Sequence, residues 1–124
     1  MRIKDLMREA FITEKDMSLA DAAKLMSSKE IGSLLYVEKG KIKGILTERD
    51  VLKNFGKSKK ISDIMSQNVI TVEQDEDVNG ALGIMTNHKI KRLPVLKKGE
   101  LVGIITLTDI AANVDELEDG FFFD

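Results

Sequence analysis

Two short stretches carry the chemistry-bearing residues of this chain: Thr47-Glu48-Arg49-Asp50 and Thr106-Leu107-Thr108-Asp109. Each follows a glycine and two aliphatic residues, Gly44-Ile45-Leu46 and Gly103-Ile104-Ile105. A threonine with a carboxylate three residues later suits a helix start, where the two side chains cap one another's backbone N–H groups. The same arrangement suits a nucleotide. Amide N–H groups and the hydroxyl at a helix start meet phosphate, and the carboxylate accepts the hydroxyls of a ribose. Both readings fit the residues.

Other chemistries are excluded or poorly supplied. There is no cysteine, which removes disulfides, thiolate metal sites and cysteine nucleophiles. The single histidine, His88, rules out a His-rich metal site, and its place between a helix and a strand reads as exposed and polar. Gly56-Lys57-Ser58 has the end of a phosphate-binding loop, but Val51 stands where that loop needs a glycine. No dinucleotide fingerprint or nucleophile elbow is present. An enzyme built on Asp109 and Lys91 would lack an activated nucleophile or general base, so no catalytic residue and no catalytic cofactor are expected. With 19 basic and 21 acidic residues, one Tyr and no Trp, neither the charge nor the stacking surface suits nucleic acid. The apolar runs are too short to span a membrane and charge begins at Arg2 and Lys4, which predicts a cytoplasmic protein.

The elements that must position these residues come twice. Ile31 to Val51 and Ile90 to Ile110 align without a gap at an offset of 59, matching Ile31/Ile90, Leu34/Leu93, Gly44/Gly103, Thr47/Thr106 and Asp50/Asp109. At 124 residues the chain holds one good core, so the two copies must share burial. Each copy begins with a short segment, Ile3 to Met7 or Ile61 to Met65, followed by an extended run at Phe11-Ile12-Thr13 or Val69-Ile70-Thr71-Val72. Apolar spacing then predicts a helix through Leu19, Ala22 and Met26, and through Val78, Ala81 and Met85, with Ser18 and Asp77 as caps. Strands follow at 33–37, 42–46, 92–96 and 101–105, joined by Glu-Lys-Gly-Lys and Lys-Lys-Gly-Glu hairpin turns. They are nearly continuous in apolar residues, which predicts cover on both faces. Thr47 and Thr106 open the last helix of each copy, and Gly56 is expected to end the first of these.

These motifs resemble the CBS domain, a small module named after cystathionine beta-synthase that occurs in tandem pairs. The likeness rests on the two Thr-x-x-Asp helix starts, on Ile90-Lys91-Arg92-Leu93-Pro94-Val95 and on Ile61-Ser62-Asp63-Ile64-Met65. It implies an α/β (α+β) fold of two pseudo-symmetric β-α-β-β-α repeats packed through their sheets. The first repeat takes residues 1–55, a basic linker 56–60 and the second repeat 61–112, leaving an acidic, Phe-rich tail at 113–124.

The resemblance further implies a regulatory module, a ligand sensor that binds AMP, ADP, ATP or S-adenosylmethionine, with magnesium accompanying a triphosphate. One cleft would use Thr106, Thr108 and Asp109 with Ile12 and Thr13; the other would use Thr47, Arg49 and Asp50 with Ile70 and Thr71. Aspartate would hold ribose, threonine would lie near phosphate, and the extended segments would hold adenine. Lys91 stands where repeat one has Gly32, which favours the Asp109 cleft for a polyanion, while Arg49 offsets part of that difference. A stand-alone pair would signal to an unidentified protein partner, or to a second copy in a homodimer, through a conformational shift. The alternative is an assembly module with vestigial clefts that associates through Phe121, Phe122 and Phe123.

Overall fold

The computed structural model describes residues 1–113; the expected Phe-rich tail falls outside them. The elements run α1 (Ile3–Leu6), β1 (Ile12–Thr13), α2 (Leu19–Lys29), β2 (Ser33–Glu38), β3 (Lys41–Thr47) and α3 (Glu48–Lys53). The same order then repeats as α4 (Ile61–Ile64), β4 (Val72–Glu73), α5 (Val78–His88), β5 (Arg92–Lys97), β6 (Glu100–Thr106) and α6 (Leu107–Ala111). Two separate three-stranded sheets form, ordered β1-β2-β3 and β4-β5-β6, each with a parallel first pair and an antiparallel hairpin. This is the repeated mixed α/β arrangement the sequence predicts.

Local chemistry accounts for the element ends. Ser18 accepts a hydrogen bond from the Asp21 N–H and Asp77 from the Asn79 N–H, the two caps expected for α2 and α5. The hairpins turn through Lys39-Gly40 and Lys98-Gly99, all four residues at positive φ, as a type I′ turn requires. Gly56 does not end α3. That helix stops at Lys53, where the Asn54 N–H and side-chain amide return to the Asp50 carbonyl, and Gly56 lies two residues beyond the cap. His88 is the last residue of α5 rather than part of a connection, and it is exposed.

The compact units do not follow the sequence repeats. Among the described residues, Met1–Ala10 belongs with residues 70–113, and Phe11–Val69 forms the other unit. The leading helices are therefore exchanged: α1 folds with β4 to α6, and α4 with β1 to α3. Ile3 is fully buried in one cluster with Val72, Val78, Leu93 and Ile105; Ile61 is as deeply buried in the other with Ala22, Met26, Leu34 and Leu46. Burying one such side chain contributes roughly 1.5 to 3 kcal/mol. Consecutive residues Leu34-Leu35 and Leu93-Pro94-Val95 are all buried, so both faces of these strands are covered.

Each leading segment is fixed by a pair of backbone hydrogen bonds. Arg8 and Ile104 exchange them at 2.8 and 2.9 Å, as do Ser66 and Ile45 at 3.0 and 2.9 Å. The approach is close because a glycine lies beneath it. A Cβ on Gly103 would sit 2.7 Å from the Arg8 carbonyl oxygen, and one on Gly44 would collide with the Met65 side chain. A carboxylate secures the other end of each leading helix. Asp16 accepts from the Ser62 hydroxyl at 2.6 Å and the Ser62 N–H at 3.0 Å, and Asp75 pairs with Lys4 at 2.9 Å. The hydrogen bonds from Ser62 hold the Asp16 carboxyl below its usual range against the opposing effect of burial, and the Lys4 ammonium does the same for Asp75. Among the described residues no helix is long and apolar enough to cross a membrane.

Two predictions follow from these clamps. Gly103→Ala should destabilise by about 1 to 3 kcal/mol, more than Gly44→Ala, because a bonded backbone carbonyl yields less readily than a methionine side chain. Urea midpoints check this, and the reverse order would contradict it. The stability supplied by Asp16 and Asp75 is present above the unfolded aspartate value near ~3.9 and is lost as pH falls through their lowered folded values. Asp16→Asn should accordingly shallow the acid limb of the pH–stability curve, and an unchanged limb would show that the Ser62 bonds add nothing.

Candidate functional site

Both Thr-x-x-Asp sequences form the reciprocal cap. The Asp109 N–H donates to Thr106 Oγ1 at 3.1 Å and Asp109 Oδ2 accepts the Thr106 N–H at 3.1 Å. In the other copy the Asp50 N–H donates to Thr47 Oγ1 at 3.4 Å, while Asp50 Oδ2 accepts the Thr47 N–H at 2.8 Å and the Thr47 hydroxyl at 3.1 Å. The structural role is therefore fulfilled twice. It also leaves a remainder: the cap engages Oδ2 in each copy, and Oδ1 of each aspartate stays uncommitted to the helix.

The strand before each hairpin is tied to the same helix start. The Leu107 N–H donates to the Lys91 carbonyl at 2.8 Å, and the Glu48 N–H donates to the Gly32 carbonyl at 3.1 Å. The Lys91 backbone is thereby tied to the start of the helix that carries Asp109, and its side chain is exposed. Gly32 occupies the matching place beside Thr47 and Asp50. The structure thus brings together Lys91, Thr106 and Asp109 in one unit, with Thr108 exposed on the same short helix. It brings Thr47 and Asp50 together in the other, with Arg49 exposed on α3.

The pairing of the extended segments shows which of their residues correspond. Thr13 lies opposite Tyr36, and Val72 lies opposite Val95, its counterpart. Thr13 therefore corresponds to Val72, and Ile12 to Thr71. Moreover, Thr13 is buried, with its hydroxyl engaged by Lys15, whose carbonyl lies at 3.2 Å and whose N–H lies at 3.1 Å. Ile12 is exposed. Ile12 and Thr13 belong to the unit of Thr47, Arg49 and Asp50, whereas Ile70 and Thr71 belong to that of Lys91, Thr106, Thr108 and Asp109.

Pro94 creates a second asymmetry. The Leu35 N–H donates to the Phe11 carbonyl at 3.0 Å. The equivalent of Leu35 in the second copy is Pro94, which has no N–H to give. The Ile70 carbonyl therefore lacks the strand bond that Phe11 receives.

One residue escaped the sequence reading. Arg8 places its Nη1 atom 3.6 Å from Asp109 Oδ1, the carboxylate oxygen that the cap leaves over. Asp109 is only 8% exposed, whereas the Arg8 side chain is 74% exposed. The signal was available: Met7-Arg8 aligns with Met65-Ser66 once the leading segments are matched at an offset of 58 rather than 59. Among the described residues no cluster of His, Cys, Asp or Glu is arranged to hold a metal ion.

Comparison with known proteins places this geometry. The CBS domain family matches residues 3–57 and again 61–116. The CBS domain-containing protein YhcV of Bacillus subtilis (strain 168) is 32% identical over 117 residues, covering 90% of this chain and 84% of that protein. An inosine-5'-monophosphate dehydrogenase of Nitrosopumilus maritimus (strain SCM1) is 34% identical over 112 residues, which span 89% of this chain but 23% of the enzyme. Among solved structures, the CBS domain pair of protein MJ0100, in complex with 5'-methylthioadenosine and S-adenosyl-L-methionine, superposes with a TM-score of 0.85. It is 32% identical and covers 94% of this chain and 97% of its own. A CBS domain protein of Pyrobaculum aerophilum has the same fold, with a TM-score of 0.84 at 22% identity over 96% of this chain and 99% of its own. With the repeat order, the paired Thr-x-x-Asp caps and both matched segments in agreement, the chain belongs to the CBS domain family as a tandem pair.

Proposed function

We propose that this CBS pair is a regulatory module that binds an adenosine derivative and passes its occupancy to a partner, rather than a catalyst. One observation carries the reading: in both copies the helix cap engages Oδ2 of the aspartate and leaves Oδ1 for a ligand. A carboxylate oxygen beside a threonine and, in one copy, an arginine suits a ribose bearing a charged substituent. Asp109 and Asp50 hold ribose hydroxyls. Thr106, Thr108 and Lys91, or Thr47 and Arg49, lie towards the 5' substituent. Ile12, Thr13, Ile70 and Thr71 supply apolar surface and backbone groups to the base, and the Ile70 carbonyl left over by Pro94 suits an exocyclic amine. Thr13 contributes its backbone only, since Lys15 engages its hydroxyl. The 32% identical MJ0100 pair, crystallised with two adenosine thioether and sulfonium ligands, supports this class of ligand.

Output follows from binding only if two conformations differ in affinity, so a partner protein or a second copy must read the liganded state. The assembly reading has an observation of its own. Leu52 and Phe55 are among the most exposed large apolar side chains, and Leu52 lines a groove of about 410 Å³ between α2 and α3 with Met26, Ile31 and Val51.

Calorimetric titration with AMP, ADP, ATP and S-adenosylmethionine separates the two. Binding by the wild type, weakened about tenfold by Asp109→Ala and less by Asp50→Ala, is the expected result. No binding at millimolar concentration would refute the sensor reading and leave assembly as the function. A larger loss in Asp50→Ala would reverse the ranking of the two aspartates.

A further inference from the structure

We infer that Arg8 selects the 5' substituent of the ligand held at Asp109, so that this site prefers an anionic nucleotide over an uncharged or cationic adenosine thioether or sulfonium. The inference rests on the adenosine reading above and adds to it the ligand class and the residue that sets it.

Arg8 and Ser66 occupy the same place in the two units, each exchanging a pair of hydrogen bonds with the strand residue that follows the clamp glycine. The anchor is identical and rigid, so the side chain alone differs. In one unit it is a guanidinium reaching Asp109 Oδ1 at 3.6 Å; in the other it is a serine hydroxymethyl that cannot extend as far. Lys91 against Gly32 adds a second positive charge to the same unit, on the residue whose carbonyl accepts from the Leu107 N–H. Arg8 thus reaches Asp109 from a separate element, whereas among the described residues no ion pair is formed by Asp50, and Arg49 is exposed on α3.

The pairing with Asp109 is weak by design of its geometry. At 3.6 Å, with the Arg8 side chain 74% exposed, it is a loose contact that solvent screens. When ribose hydroxyls take Oδ1, the guanidinium is displaced. Its length lets it swing to a group one ribose away, and its fork of N–H donors matches phosphate oxygens two at a time. A 5' phosphate thus replaces the carboxylate as the partner of Arg8. An uncharged thioether gives Arg8 nothing in return, and a sulfonium is repelled by it and by Lys91.

The test is calorimetry with AMP and 5'-methylthioadenosine on the full chain carrying Asp50→Ala, which isolates the Asp109 site. Arg8→Ser should lower the ratio of AMP to methylthioadenosine affinity about tenfold, and Arg8→Lys should retain most of the preference. In the reciprocal chain carrying Asp109→Ala, Ser66→Arg should raise the same ratio at the Asp50 site. Thermal melting verifies that each variant is folded. Equal losses for both ligands in Arg8→Ser, or an unchanged ratio in Ser66→Arg, would overturn the role of Arg8 while leaving the adenosine reading intact. Failure of the Asp50→Ala chain to bind either ligand, where the wild type binds, would place the ligand at Asp50 and overturn the role of Arg8 alone; failure of the wild type to bind would overturn both.

Discussion

The exchange of backbone hydrogen bonds between Arg8 and Ile104, and between Ser66 and Ile45, is the constraint on which the rest depends. It brings the start of one sequence repeat onto the hairpin of the other, where Gly103 presents no Cβ to the Arg8 carbonyl and Gly44 none to the Met65 side chain. From that contact follow the burial of Ile3 and Ile61, the completion of each core and the exchange of leading helices between units. It also determines which residue stands beside each candidate aspartate. A single crossing point thereby serves both the fold and the chemistry of the site.

The capping box shows how stability and binding can share one pair of side chains. Thr106 and Asp109 satisfy two N–H groups at the start of α6, a contribution of about 1 kcal/mol that needs only one carboxylate oxygen. The other oxygen is available because a carboxylate has more acceptor sites than a cap consumes. Removing the aspartate therefore weakens the helix start as well as any ligand contact, so binding losses in such variants must be read beside their stability.

Much of this was legible in the sequence because the signals were local or repeated. The offset of 59 disclosed the duplication, and the caps at Ser18, Asp77, Thr47 and Thr106 followed from residue type and position. What stayed hidden depends on distance along the chain. The exchange of leading helices has no local signature, since Ile3 and Ile61 are equally suited to either core. The ends of α2 and α5 lie at Glu30 and Lys89, in the left-handed region without the glycine that usually announces such a cap. The resemblance named Ile12-Thr13 and Ile70-Thr71, which lie 58 apart, whereas the strand register matches Thr13 to Val72 at 59. Arg8 was missed for the same reason: the leading segments and the hairpins keep different offsets, and a comparison at 59 alone never sets Arg8 against Ser66.

The two copies have thus retained one scaffold while diverging in charge and in backbone acceptors, with Arg8, Lys91 and Pro94 on one side and Ser66, Gly32 and Leu35 on the other. The most direct measurement of what that divergence does is a crystal structure of the chain with AMP. It should show ribose hydroxyls on Asp109 Oδ1 and the Arg8 guanidinium turned from the carboxylate to the phosphate. A nucleotide bound elsewhere, with Arg8 still paired to Asp109, would contradict the assignment of this aspartate as the ribose-binding group.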